Sequence, residues 1–237
     1  MKFPGQLITN GFFDRDALTV AKAMLGLVLF HRVPHPQARE KSIWLAARII
    51  ETEAYFLEER ASHASLGFTE KRSALFMPPG TIYMYYARGG DSLNVSCRGE
   101  GNAVLVKSGV PWLQAPHPEE MLAAMSWLNP LPGGRPRAWD KLCSGQTLLC
   151  RALGLRVPDW DQRQFDPDRL ALVDVAQPPA RIIQTTRLGI PQGRDGHLPY
   201  RFVDHDQARL CTHNPLSRRK GPPPPMEFHP PLDHHSG

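Results

Sequence analysis

Long hydrophobic runs are missing from this chain of 237 residues. The most apolar stretch, Val20 to Phe30, is interrupted by Lys22 and Gly26 and falls short of the ~20 apolar residues a bilayer-spanning helix needs. The opening MKFPGQLITNGFF lacks a basic segment leading into a long apolar core, so no secretory leader is visible. Cysteine is also sparse: Cys97, Cys143, Cys150 and Cys211 are scattered, without a CxxC pair. That spacing argues against a disulfide framework, matches no familiar zinc pattern, and points to reduced thiols in the cytoplasm. Neither charge sign dominates, the net value being +5.

Proline is abundant instead. Twenty-four of them make up about one residue in ten, roughly twice the usual share. Each interior proline removes a helical hydrogen bond and clashes with the preceding turn, which disfavours uniform long helices. Hydrophobic content of 41% and charged content of 22% are ordinary for a chain that folds. The positive charge is unevenly placed. Between Arg181 and Lys220 lie eight basic residues, Arg187 and Arg201 among them, against three acidic ones, which accounts for the whole excess. A localised basic stretch suits phosphate binding.

Asp14 is positioned to cap a helix carrying Ala17, Leu18, Ala21, Met24 and Leu25, with Gly26 as its stop. Leu27–Phe30 and Ile43–Ile50 read as strands about a polar turn at 34–41. Further strands are predicted at Thr81–Tyr86, Ser92–Cys97, Ala103–Lys107, Leu170–Val175, Ile182–Thr186 and Tyr200–Val203. Helical patterns fall at Glu119–Trp127 and around Leu142–Leu153. Short strands joined by glycine turns favour an antiparallel sheet. After about Ser217 the chain becomes proline-rich without apolar periodicity, and residues 217–237 read as an extended tail, disordered in isolation.

The strand Ile43–Ile50 runs into Glu51-Thr52-Glu53-Ala54-Tyr55. If the two-residue alternation continues, Glu51, Glu53 and Tyr55 extend the face of Ile43, Leu45, Ala47 and Ile49. Carboxylates there would be costly unless paired or used. If the strand twists or ends at Glu51, both stand in water. Thr81, Tyr83 and Tyr85 place hydroxylated side chains on one face of the next strand. The intervening loop holds His63 and the cations Lys71 and Arg72. A carboxylate, a histidine, stackable rings and nearby cations suit recognition of a flat, electron-poor base and attack on its bond to sugar.

These residues carry a resemblance. Arg48-Ile-Ile-Glu-Thr-Glu-Ala-Tyr55, His63, Phe76-Met-Pro-Pro-Gly-Thr-Ile-Tyr-Met-Tyr85 and Leu93-Asn94-Val95 resemble the alkyladenine (3-methyladenine) DNA glycosylase family. So do Leu142-Cys-Ser-Gly145, Leu149-Cys-Arg-Ala-Leu-Gly154, Thr186-Arg-Leu-Gly-Ile190 and Tyr200-Arg-Phe202, in matching order across roughly residues 8–205. The resemblance implies a single mixed α/β (α+β) domain over 1–216, with a curved antiparallel sheet flanked by helices and a protruding hairpin. It implies a monofunctional enzyme that flips alkylated or deaminated purines from double-stranded DNA and hydrolyses the N-glycosidic bond. No cofactor, metal or membrane is expected, and a cytoplasmic monomer is (nucleoid-associated if bacterial).

Residue by residue, Glu53 matches the family's general base, while Glu51 matches a glutamate with no comparable assignment. Tyr55, His63 and Tyr85 match the rings that sandwich the flipped base, and Asn94 matches the asparagine at the pocket floor. Leu105 and Lys107 fall on the closing strand, Lys107 standing near the water and phosphate where the family commonly has arginine. The hairpin tip after Tyr85 is shorter than usual and lacks the family's Tyr-Gly-Met, leaving Tyr86 or Arg88 to fill the gap in the duplex. Leu148 stands where a lysine is often found. The alternatives are a non-catalytic nucleic-acid-binding protein on the same fold, disfavoured by the retained Glu53, and a nucleoside hydrolase, disfavoured by the basic segment.

Overall fold

The computed structural model describes residues 2–87, 89–218 and 224–230. In chain order the strands are β1 (Gln6–Leu7), β2 (Val28–His35), β3 (Ala38–Tyr55), β4 (Ile82–Ala87) and β5 (Gly90–Ser96). They continue as β6 (Ala103–Pro111), β7 (Leu170–Asp174), β8 (Ile182–Thr185), β9 (Arg201–Asp204) and β10 (Met226–His229). All pair antiparallel in one open sheet, ordered β1-β7-β2-β3-β6-β5-β4. The long β3 also pairs with β9, which leads through β8 to β10. The sheet therefore branches on β3, whose later residues Glu51–Glu53 take β9 as neighbour once β2 has ended its pairing at Arg48.

Helices α1 (Ala17–Ala23), α2 (Pro118–Leu128), α3 (Gln146–Leu153) and α4 (Val157–Trp160) flank this sheet, and among the described residues no helix is long and apolar enough to cross a membrane. Phe13, Val20, Leu25, Phe30, Ile49, Val106, Leu149 and Trp160 belong to one buried cluster, each large apolar side chain contributing roughly 1.5–3 kcal/mol by leaving water. His31 is buried beside them. Its Nδ1 bonds to the Leu153 carbonyl at 2.7 Å and its Nε2 accepts from Trp160 Nε1 at 3.1 Å. That arrangement requires the neutral ring, and burial pushes its pKa down from 6.5.

Three expectations are corrected. The cap of α1 is Asp16, which accepts from Leu18 N and Thr19 N. Asp14 is instead paired with Arg98 at 3.0 Å. The polar turn shrinks to two residues, because β2 reaches His35 and β3 begins at Ala38. Pro34 is tolerated there because β7 pairs with β2 only as far as His31, so its missing N–H faces no ladder.

The alternation along β3 also breaks. Its register against β6 shifts between Ile49 and Glu51 and again between Glu51 and Thr52, leaving Ile50 on β3 and Lys107 on β6 as extra residues. A bulge flips the phase. The apolar cluster that holds Ile49 continues at Ala54, and Thr52 Oγ1 bonds to the Ala21 carbonyl of α1 at 2.7 Å. The glutamates thus leave the apolar face instead of extending it.

Within the tail, which reads as extended, Met226–His229 forms a strand against β8. Phe228 packs on Arg181 and His205, and His229 Nε2 lies 2.7 Å from Gln184 Oε1. An unpaired β8 edge offers backbone partners that a proline-rich sequence can still use between its prolines.

Candidate active site

Sheet register assembles the site. Tyr83 of β4 lies opposite Asn94 of β5, Asn94 opposite Leu105 of β6, and Leu105 opposite Glu53 of β3. Directly opposed residues share a face, so one row across four strands carries all four side chains. The next row brings Ala103 opposite Tyr55. Above these rows lies a cavity of about 340 Å³, lined on its other sides by His63, Leu66, Gln146 and the 188–191 segment after β8. Gly101 at its wall adopts φ +76°, and a Cβ there would stand 2.8 Å from Ala64 Cβ, so glycine lets the His63 loop approach β6.

The two glutamates meet different partners. Glu51 is fully buried, 2.7 Å from Arg201 Nε, and accepts from Ser108 Oγ and from Thr212 N at 3.1 Å. Glu53 is equally buried but sits beneath the cavity. Its Oε2 accepts from Tyr55 OH at 2.8 Å and from Lys107 Nζ at 3.3 Å, and its Oε1 accepts from Leu188 N at 3.1 Å. Burial, with the adjacent Glu53 carboxylate, raises the Tyr55 pKa well above its usual value, so this hydroxyl keeps the proton it donates.

The cavity wall is aromatic. The rings of His63 and Tyr85 lie 4.6 Å apart at 64°, and those of Tyr83 and Tyr85 lie 5.6 Å apart. His63 Nδ1 is 3.0 Å from Tyr83 OH. Burial, then Arg72 and Arg194, lower the His63 pKa and favour its neutral ring. Asn94 Nδ2 donates to the Tyr83 carbonyl at 3.1 Å, fixing which end of that amide faces inward. Gln146 Nε2 donates to Ser92 Oγ at 2.9 Å and to Tyr85 OH at 3.3 Å.

Of the residues expected from sequence, Tyr55, His63, Tyr85, Asn94, Leu105 and Lys107 line this one cavity and Glu53 touches it through its donors. Lys71 is exposed on the short 3₁₀ segment Glu70–Phe76. Arg72 donates to the carbonyls of Gly67 at 2.6 Å and His63 at 3.5 Å, which braces the histidine loop. Tyr86 is 68% exposed at the end of β4, whereas Arg88 lies outside the described residues.

The basic segment needs correction. Arg187 and Arg201 are buried against Glu59 and Glu51, so their charges are neutralised within the fold. Among the described basic residues of this segment, Arg194 alone lines the cavity.

Sequence reasoning missed Gln146, Leu188, Arg194 and the Arg187–Glu59 pair. Tyr83 was legible as part of the hydroxylated face but not as a lining residue. Leu188 contributes a backbone N–H, for which side-chain identity gives no signal.

Comparison with known proteins places these features in context. A family model described as methylpurine-DNA glycosylase matches residues 11–208. A protein of Pseudomonas aeruginosa (strain LESB58), named "Putative 3-methyladenine DNA glycosylase", is 60% identical over 211 residues, covering 89% of this chain and 85% of that protein. One of the same name from Pseudomonas syringae pv. tomato is 60% identical over 89% of this chain and 92% of its own length. The DNA-3-methyladenine glycosylase of Mus musculus is 34% identical over 81% of this chain and 57% of its own.

Proposed function

The chain belongs to the methylpurine-DNA glycosylase family, and on that premise we propose that it releases damaged purines from double-stranded DNA by hydrolysis of the N-glycosidic bond. The supporting observation is a buried carboxylate, Glu53, held by three donors beneath a cavity walled by rings. A stacked base cannot enter such a cavity, so the target nucleotide swings out of the duplex, at a cost of a few kcal/mol that is least for a damaged base. Tyr55 faces the base from one side, and His63 with Tyr85 from the other. Ring stacking contributes ~1–3 kcal/mol per base and tolerates several purines. Asn94 and Leu105 form the floor, where the amide obstructs a guanine amino group.

Glu53 then acts as general base. Its two oxygens offer about four acceptor positions, three of which are taken by Tyr55, Lys107 and Leu188. The fourth, on Oε1, takes a water and removes its proton as the water attacks the anomeric carbon of the sugar. A positioned base contributes about 10²–10⁴-fold. An alkylated purine is already cationic and leaves without a second carboxylic acid, and the carboxylate also steadies positive charge on the sugar. Lys107 supplies a cation near water and phosphate, without the two-pronged geometry of an arginine. Lys71 and Tyr86 meet the DNA in this reading, with Tyr86 or Arg88 to fill the gap in the stack. Residues 1–216 carry this activity in a cytoplasmic monomer.

Incubation with methylated duplex DNA tests the reading. Release of free methylpurine, together with binding that weakens as salt is raised, is the expected result. Binding without release would reduce the protein to a nucleic-acid-binding module, and cleavage of free nucleosides alone would overturn the DNA assignment.

A further inference from the structure

Arg187 is enclosed, its side chain fully removed from solvent. It donates to both oxygens of Glu59, through Nη1 at 2.8 Å and through Nη2. Nη1 also reaches the Ala54 carbonyl at 2.9 Å. The guanidinium lies over the Tyr55 ring, 4.6 Å from its centroid, and 5.3 Å from that of Tyr200. Glu59 in turn accepts from Phe56 N at 2.7 Å, closing the turn that follows β3. The pair thus ties the end of the strand bearing Glu53 and Tyr55 to the segment leading to Leu188.

Two of the three donors on Glu53 adjoin this tie. Tyr55 reaches Oε2 with a ring whose face is backed by Arg187, and Leu188 N, which reaches Oε1, belongs to the peptide bond that Arg187 itself begins. Neither Arg187 nor Glu59 is among the residues lining the cavity above Glu53. A planar fork with two parallel hydrogen bonds fixes orientation as well as charge.

We infer that the Arg187–Glu59 pair is the positioning element for the reaction. It holds the Glu53 carboxylate from both oxygens, so that its remaining acceptor position faces the base-bearing sugar. The inference rests on the proposed glycosylase reading. A pair that served only to hold the fold together would leave the rate per folded molecule intact when weakened. A positioning pair would lower that rate while leaving DNA affinity in place, because the rings and cations that meet DNA are untouched.

The test uses the full chain and two graded variants. Arg187→Lys keeps the charge and loses the fork, and Glu59→Gln keeps the shape and loses the charge. Melting temperatures establish the folded fraction of each. Single-turnover release of methylpurine from methylated duplex is then compared with affinity for a duplex carrying a neutral tetrahydrofuran mimic of the abasic sugar. The expected result is a fall in release of about 10- to 100-fold, with affinity changed by no more than about threefold. Release per folded molecule within about twofold of the unaltered chain in Arg187→Lys, the milder variant, overturns the inference. So does a loss of affinity that matches the loss of rate. Absence of release by the unaltered chain is a separate outcome, and it counts against the glycosylase reading itself.

Discussion

Tyr55 donates its hydroxyl to Glu53 Oε2 at 2.8 Å from two positions further along the same strand. One strand face therefore carries both a ring of the cavity wall and the carboxylate beneath it, and the ring's own hydroxyl orients that carboxylate. Hydrogen bonds to a charged group are worth ~1.5–3 kcal/mol. Tyr55→Phe should keep the ring and lower single-turnover base release by about 10- to 150-fold, with binding to lesion-containing duplex preserved. Unchanged release in that variant would show that Glu53 needs no help from this hydroxyl.

Glu51 has the opposite kind of role. Its ion pair with Arg201 is buried on both sides and braced by Ser108 and Thr212. Removing one partner of such a pair leaves an uncompensated charge and costs about 3–5 kcal/mol. Arg201→Met should lower the urea midpoint by that equivalent, while release per folded molecule stays within about fivefold. A variant that is stable but inactive would assign Arg201 to the chemistry instead.

Acid should weaken the fold through His31. The unfolded ring takes up its proton near pH 6.5, whereas burial lowers the folded value. Above that pH both states are neutral and contribute no slope. Below it the unfolded chain binds more protons, so stability declines as pH falls from about 6.5 toward 5. His31→Gln should start lower at pH 7, having lost the Leu153 and Trp160 contacts, yet fall less steeply toward pH 5. Thermal melts across that range measure both slopes, and equal slopes would remove His31 as their source.

The tail strand should stabilise without participating. Truncation after residue 223 removes β10 from the edge of β8 along with the Phe228 and His229 contacts. Roughly 1 kcal/mol corresponds to 2–4 °C in a chain of this size, and a drop of a few degrees with unaltered base release is the expected outcome. A loss of release would bring the tail into the DNA contact.

Much of the site was legible because its residue types are costly where they stand. Two glutamates at the end of an apolar strand, alternating hydroxylated rings and a histidine between them point to a site before any coordinates. The strand order of the antiparallel sheet followed less directly. Glycine turns marked the β4–β5 hairpin, but nothing local announced that β3 would branch to β9. The doubled bulge at Ile50 and Lys107 was equally silent, since a register shift depends on the partner strand's fit and leaves no mark in local alternation. For the same reason the basic excess misled. A count of charges cannot distinguish Arg194 at the cavity from Arg187 and Arg201, which partners distant in sequence neutralise. The pairing of tail residues 226–229 was not legible, because their order comes from β8, not from their own propensity.

The most direct measurement is base release by Glu53→Gln set against its affinity for the same lesion-bearing duplex. Glutamine keeps the shape and can still meet some of the donors that hold the side chain, but it cannot take a proton from water. Release should fall by about 10²–10⁴-fold with affinity retained. Release at the unaltered rate would remove Glu53 from the chemistry and contradict the proposed hydrolysis at its root.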